Sequence, residues 1–541
     1  MVPSASSQYS SLLISLLGFL KRDFIKLSSI ASAALPITMS GFPLFANEKP
    51  KGYQISEEND NILVLIQLQG GNDGLNTIFN LNQYANLQNV RPNIIISEND
   101  LISLDDTNRL HPSMIGMKNI WDQENLGIIQ NVGYPNQNRS HFRSTDIWNS
   151  ASSADAYISS GWMGRFFESN HSSYPTAYPN AENPHPFAIT LGKIVSETCQ
   201  GTSTNFSMAL RDPENPGTAI VSNTGEIPNN CYGGALKFVN ETVSQTNAYA
   251  EVIVEAANVG NNLSTKYENS NHNKLSGKLK NVAKLISGGL KTKVYVVQLG
   301  GFDTHDNQVV DGEATSGEHS ELLSELSEAI AAFQDDLELL GVDNKVMGMT
   351  YSEFGRRIRS NDALGTDHGN AAPMFLFGSC AKNQILGDTP EIDTQVDFNE
   401  GVQMQYDFRN IYSSILTDWL GASLEESNSI LFDNFEILPI LKEGCNGTLT
   451  TDRFKLEDSF KLDIYPNPSQ DFIHISFNGN NKTVNIKLFN SIGGVVKQIA
   501  HHYYTSEKHL IRVDLRELSQ GTYFVHYQSK GTSKTKKVLK Y

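Results

Sequence analysis

Residues Val294 to His305 read VYVVQLGGFDTH, and no other stretch constrains the fold as tightly. Val294, Tyr295, Val296 and Val297 are consecutive β-formers, the pattern of a strand buried on both faces of a parallel sheet. The run stops at Gly300-Gly301, where the backbone turns or approaches a neighbour with no side chain in the way. Asp303 and His305 then lie just past the carboxyl end of the strand, the edge where open α/β sheets bind ligands. A carboxylate and an imidazole placed there suit a divalent metal. Alone the pair says little; its weight comes from repetition.

The same arrangement recurs along the chain. NILVLIQLQ, residues 61 to 69, is a buried-strand pattern that runs into Gly70-Gly71-Asn72-Asp73-Gly74. Asp73 is thus a second carboxylate beyond a strand end, although in isolation an Asp-Gly turn without chemistry is the better explanation. LGIIQNV, 126 to 132, precedes Asn138-Arg139-Ser140-His141-Phe142-Arg143, where two arginines flank a hydroxyl and an imidazole. Such a cluster can hold an anion at a helix start. The plainer alternative makes Ser140 an N-cap and packs His141 beside Trp148. KVMGMT, 345 to 350, ends at Ser352-Glu353-Phe354-Gly355-Arg356-Arg357. Gly365-Thr366-Asp367-His368-Gly369 then leads into the apolar run Met374 to Gly378. Helical patterns over 273–290 and 319–341 alternate with these strands, and the acids of the second more readily face solvent than bind metal. Strands alternating with helices, and polar residues at strand ends, predict a doubly wound α/β domain. Residues 150 to 260, rich in Asn, Ser, Gly and Pro, read as a loop-rich insertion over one sheet edge with a strand at 187–191, and a possible substrate lid.

A chain of 541 residues implies two folded units and a leader. Its net charge of -17 argues against nucleic acid as a partner, since such binders need a basic face. In residues 1–50 an apolar run, Leu12 to Leu20, is too short to span a bilayer. The basic stretch Lys21 to Lys26 and a small-residue segment follow it, the order of an export signal, so no membrane-spanning helix is expected in the mature protein. KRDFIK resembles a twin-arginine signal with Lys in place of the first Arg. Four cysteines, Cys199, Cys231, Cys380 and Cys445, show no CxxC spacing and allow three disulfide pairings, of which Cys199 with Cys231 is nearest in sequence. After about residue 450 the pattern becomes short alternating strands separated by turns, which predicts a small β-sandwich over 462–541 behind a linker at 446–461.

Two resemblances sharpen these expectations. The YPNP opening at Tyr465 to Pro468, the SIGG turn, LSQGTYFV and the KKVLK ending resemble the C-terminal sorting domain of the type IX secretion system of Bacteroidetes. That implies the secretion machinery as a partner and export through the periplasm to the cell surface or the medium. The body, 60–445, resembles the family called domain of unknown function 1501 through LQGGNDGLNT, NRSHFRSTDIW, QLGGFDTH, YSEFGRR and GTDHGN, in that order. This family is similar to the alkaline phosphatase and sulfatase superfamily. The resemblance implies metal ligands at Asp73, Asp303, His305, Glu353 and His368, with His141 or Asp367 as additional ligands. It implies a nucleophile at Ser140, Arg139 and Arg143 on the remaining ester oxygens, and one or two ions of zinc, calcium or manganese. Phe354 departs from the pattern, because it stands where the superfamily has a ligating His. The function expected is an exported metal-dependent hydrolase of phosphate or sulfate esters. The alternative is an inactive surface protein of the same fold that binds a glycan or anionic polymer. A dinucleotide cofactor is not expected, since the glycine corner at 70–74 is no dinucleotide fingerprint and puts an acid where pyrophosphate would lie.

Overall fold

The strand Ile62–Gln69 (β1) sorts its side chains to two separate cores. Ile62, Val64, Ile66 and Leu68 join one apolar cluster, and Leu63 and Leu65 join another. That is the period-two alternation of a strand covered on both faces, each buried aliphatic side chain contributing about 1.5–3 kcal/mol. The computed structural model describes residues 59–216, 231–270, 274–445, 462–478, 482–490, 494–505, 508–529 and 532–541, together with 38–39 and 42–43. The expected leader over 1–50 and the linker over 446–461 lie outside the described residues, except that Thr38–Met39 and Phe42–Pro43 pair antiparallel.

Among the described residues the central sheet has nine strands. After β1 come Leu126–Gly133 (β2), Ala188–Leu191 (β3), Ser207–Leu210 (β4), Val294–Gly300 (β5) and Val346–Ser352 (β6). Ala372–Phe377 (β7), Gln384–Leu386 (β8) and Tyr406–Asp407 (β9) complete it. Across the sheet the order is β8-β2-β7-β6-β1-β5-β3-β4, with β9 paired to β2. β1 lies between β5 and β6 and is parallel to both. Only β7 is reversed, being antiparallel to β6 and β2. The first core packs the helices Ile115–Asp122 (α1), Cys231–Val259 (α4), Lys274–Ser287 (α5) and Glu318–Leu339 (α6) on one face. The second packs His141–Ser150 (α2), Trp162–Asn170 (α3), Phe408–Ser414 (α7) and Leu424–Leu431 (α8) on the other. Helices on both faces of a largely parallel sheet make the domain doubly wound, as expected. The interval 150–260 is more ordered than its composition suggested, since it contains α3, β4 and the 29-residue α4.

This topology places the site. The corners after β1, β2, β5 and β6 share one edge because those strands are parallel. His368 precedes the reversed β7 and so starts from that same edge. The corners come very close: a Cβ on Gly70 would lie 2.2 Å from the Asp303 nitrogen, and Gly70 has φ +119. Only glycine permits that approach.

The C-terminal unit is a sandwich. Asp463–Tyr465, Phe472–Asn478 and Lys508–Asp514 form one antiparallel sheet, and Lys482–Asn490, Val495–Tyr504, Gly521–Ser529 and Thr532–Lys540 form the other. Ile473, Ile475 and Phe477 of the first share a core with Ile486, Leu488 and Val525 of the second. Cys380 is bonded to Cys445, while Cys199 is a buried free thiol, so the pairing nearest in sequence does not form.

Candidate metal centre

Asp303 is the focus of the sheet edge. Its Oδ1 lies 3.0 Å from His368 Nε2 and 3.2 Å from His305 Nε2, and its Oδ2 lies 3.3 Å from His141 Nε2. Ligand atoms of His141, Asp303 and His368 all lie within 4.8 Å of one another. His305 joins from the Asp303–His368 side, with its Nε2 2.9 Å from His368 Nε2.

The far nitrogen of each ring is committed. His141 Nδ1 lies 2.9 Å from Glu353 Oε1, His305 Nδ1 2.9 Å from Asp367 Oδ1, and His368 Nδ1 2.8 Å from the Arg139 carbonyl. These partners only accept, so each neutral ring carries its proton on Nδ1 and turns the Nε2 lone pair toward Asp303. Carboxylates and carbonyls behind imidazoles are how proteins orient metal ligands. Two Nε2 lone pairs facing each other at 2.9 Å repel unless a cation lies beside them. The residues therefore fit a divalent metal, and three imidazoles with one carboxylate are a zinc-type donor set. Calcium, which takes six to eight oxygens, fits poorly.

The electrostatics agree. Burial alone would raise the Asp303 carboxyl, but the His368 ring beside it and the hydrogen bond and charge of Arg356 outweigh it and hold it at about 2. Burial lowers the His368 imidazole and keeps it neutral enough to ligate. Arg356, fully buried, ties the edge together by donating to the carbonyls of Gly70, Gly71, Phe302 and Thr366 and to Asp303 Oδ1.

The expected ligands do not all reach this point. Glu353 stands behind His141; its Oε1 also accepts from the Gly70 N–H at 2.8 Å, and its buried Oε2 has no hydrogen-bond partner. Asp367 likewise backs His305 and pairs with Arg357 at 3.0 Å. Asp73 is committed through one oxygen, its buried Oδ1 having no hydrogen-bond partner among the described residues. Its Oδ2 accepts from Arg91 Nη1 and Gln308 Nε2, each at 2.7 Å, which commits that oxygen to a buried ion pair. Arg143, expected to hold an anion, is consumed by Asp146 and by the carbonyls of Ser153, Ala154 and Ala156. Arg139 donates twice to Asn370 Oδ1, at 3.0 and 2.9 Å. His141 belongs to the cluster and not to the core; Trp148 instead donates to the Glu353 carbonyl at 2.9 Å.

Ser140 is the exposed N-cap of α2, with no side-chain capping bond. Its chain neighbours Arg139 and His141 both touch the cluster, Arg139 through its carbonyl. Phe354 stands beside the cluster. Its ring packs 4.9 Å from His141 and 4.5 Å from His368 and forms the wall of the site, where Gly71 leaves room for it. Arg91, Arg356 and Asn370 were not foreseen. The motifs YSEFGRR and GTDHGN, which contain Arg356 and Asn370, were the signal for those two.

Fold and site together define a doubly wound α/β protein with an imidazole–carboxylate centre at its ligand edge and a sorting module behind it. Residues 282–418 match the family described as protein of unknown function DUF1501, and this segment carries QLGGFDTH, YSEFGRR and GTDHGN. Residues 463–541 match the secretion system C-terminal sorting domain, which directs export to the cell surface or the extracellular space. No curated protein matches the chain in sequence. Among solved structures, similarity extends to a protein in the alkaline phosphatase superfamily from Vibrio parahaemolyticus, at 8% identity over 83% of this chain and 79% of that one, TM-score 0.28. A phosphonate monoester hydrolase from Silicibacter pomeroyi is similar at 9% identity over 88% of each chain, TM-score 0.31. Alkaline phosphatase from the Antarctic bacterium TAB5 is similar at 11% identity, covering 61% of this chain and 94% of that one, TM-score 0.25. Among the described residues no helix is long and apolar enough to cross a membrane.

Proposed function

We propose that this chain is an exported hydrolase of phosphate or sulfate esters that works with a divalent metal, zinc before manganese or calcium. One observation carries the reading: three imidazoles turn Nε2 toward a single carboxylate while each Nδ1 is tied behind. Asp303, His141, His305 and His368 would hold the ion, with Glu353 and Asp367 fixing two of the rings. A bound ion would supply a Lewis acid that lowers the pKa of a hydroxyl or water and draws charge from the ester oxygen. Ser140 presents its hydroxyl at the start of α2, where free backbone N–H groups favour a negatively charged group. Phe354 keeps water from one side of the rings and adds no ligand, which supports one ion at this point and not two.

The test is turnover of aryl phosphate and aryl sulfate by the full chain with zinc, manganese or calcium, beside elemental analysis. Metal-dependent turnover of either ester that is lost in Asp303→Asn supports the reading. A protein that binds stoichiometric metal and turns over neither ester under any condition overturns it in favour of the inactive binding protein.

A further inference from the structure

Two guanidinium groups flank the cluster with hydrogen-bond donors to spare. The backbone carbonyl of Arg139 takes the His368 Nδ1 proton, and its Nε and Nη2 share Asn370 Oδ1. Arg357 Nη1 meets Asp367 Oδ2 at 3.0 Å, while the other oxygen of Asp367 holds His305. Each arginine is therefore one contact away from a cluster imidazole. The two also converge through a common neighbour. Arg357 bridges to Gly401 through its backbone, and Gly401 abuts the same Asn370 side chain that receives Arg139. Among the described residues, Arg139 Nη1 and Arg357 Nε and Nη2 have no hydrogen-bond partner, and Arg357 Nε is buried. Like charges brought together with unused donors are unfavourable until an anion lies between them.

We infer that Arg139 and Arg357 act as one clamp for a doubly charged tetrahedral group, so that the site takes a phosphoryl or phosphonyl dianion in preference to a singly charged sulfate ester. The inference rests on the cluster being an ester site and adds to it Arg357, whose buried Nε has no hydrogen-bond partner among the described residues. Charge balance sets the preference. Arg139, Arg356 and Arg357 offset Asp303, Glu353 and Asp367, with the imidazoles neutral. A divalent ion then leaves a surplus of two positive charges. A dianion cancels that surplus, and a monoanion leaves one charge unmatched in a partly buried site. Guanidinium forks also suit a tetrahedral group, since each offers paired donors to its oxygens.

Two non-hydrolysable probes of one shape separate the charge states: phenylphosphonate, a dianion above neutral pH, and benzenesulfonate, a monoanion. Their binding to the zinc-loaded full chain is measured by calorimetry, so the readout needs no turnover and stands apart from the test of hydrolysis. Phenylphosphonate is expected to bind at least about tenfold tighter. Arg139→Gln and Arg357→Gln should each weaken phenylphosphonate on the order of tenfold to a hundredfold and benzenesulfonate by clearly less, with zinc content and melting temperature retained. Equal affinity for the two probes, or variants that bind phenylphosphonate like the parent, would overturn the clamp. Tight phenylphosphonate binding without ester turnover would uphold the clamp while removing the proposed hydrolysis.

Discussion

His305 Nε2 and His368 Nε2 face each other at 2.9 Å, and a neutral ring whose Nδ1 proton is taken from behind has none to place between them. The His305 proton is on Nδ1, toward Asp367, and the His368 proton is on Nδ1, toward the Arg139 carbonyl. A cation beside the two lone pairs turns this repulsion into ligation, so folding stability should be linked to metal. Removal of metal with a chelator should lower the melting temperature, and zinc at about a hundred times its Kd should restore on the order of 2.7 kcal/mol. His368→Ala should abolish that response. A chelated protein that melts with the zinc-loaded one would sink the assignment.

Glu353 touches the cluster only through His141, so its removal should loosen metal without changing chemistry. Glu353→Gln is isosteric and keeps an oxygen for the Gly70 N–H. It loses the charge that holds His141 Nδ1, and comparable changes behind metal ligands weaken binding by roughly 10–100-fold. Zinc titration of the variant should show that loss, with turnover recovering at saturating zinc. Unchanged zinc affinity would mean that Glu353 serves the fold alone.

How much of this was legible in the sequence depended on range. Asp303, His305 and His368 could be placed because each sits within a few residues of a strand pattern, and strand ends in such sheets share an edge. Asp73 satisfied the same rule and still left the set, because Arg91, 18 residues on and in no motif, reaches back to neutralise it. Arg143 was diverted by carbonyls 10 to 13 residues away. Those contacts depend on how loops close in three dimensions, which periodicity does not encode. Phe354 was legible as a departure; its service as a wall for two imidazoles was not.

The Asp73–Arg91 pair makes a prediction about acid. Burial would raise the Asp73 carboxyl, but the charge and hydrogen bond of Arg91, with Gln308 and His319, outweigh it and leave it below the ordinary 3.8. A carboxyl depressed in the folded state contributes stability that is fully present above its unfolded value and is lost as pH falls through the folded value. Urea denaturation from about pH 5 down to about pH 2 should therefore show stability falling below the unfolded carboxylate range of about 3.9. In Asp73→Asn that part of the slope should disappear. Arg91→Ala, which strands a buried carboxylate, should cost about 3–5 kcal/mol at neutral pH. A parallel pH profile in Asp73→Asn would refute the linkage.

The Cys380–Cys445 bond spans 65 residues of sequence. Restricting the unfolded chain over that length is worth about 4 kcal/mol in the loop-entropy account. A Cys380→Ser/Cys445→Ser double variant should lose up to that amount and no longer respond to reductant. The parent should weaken on reduction, and identical denaturation midpoints would show that the bond contributes nothing.

Ser140 separates two sources of the attacking oxygen. Its hydroxyl is exposed and makes no capping bond, so Ser140→Ala forfeits none of the hydrogen bond from which a cap usually gains about 1 kcal/mol. Melting temperature and zinc content should stay at parent values. If the hydroxyl attacks the ester, turnover should fall by at least about a hundredfold, because a nucleophile so placed splits one difficult step into two easier ones. The parent should also transfer the phosphoryl group to an added alcohol, as the ester formed on Ser140 Oγ can be released to either acceptor. In the variant, water held near His141 and Asp303 can still attack, but directly, so whatever turnover remains should give no transfer product. Turnover and alcohol partitioning that both match the parent would remove Ser140 from the reaction and leave water as the nucleophile.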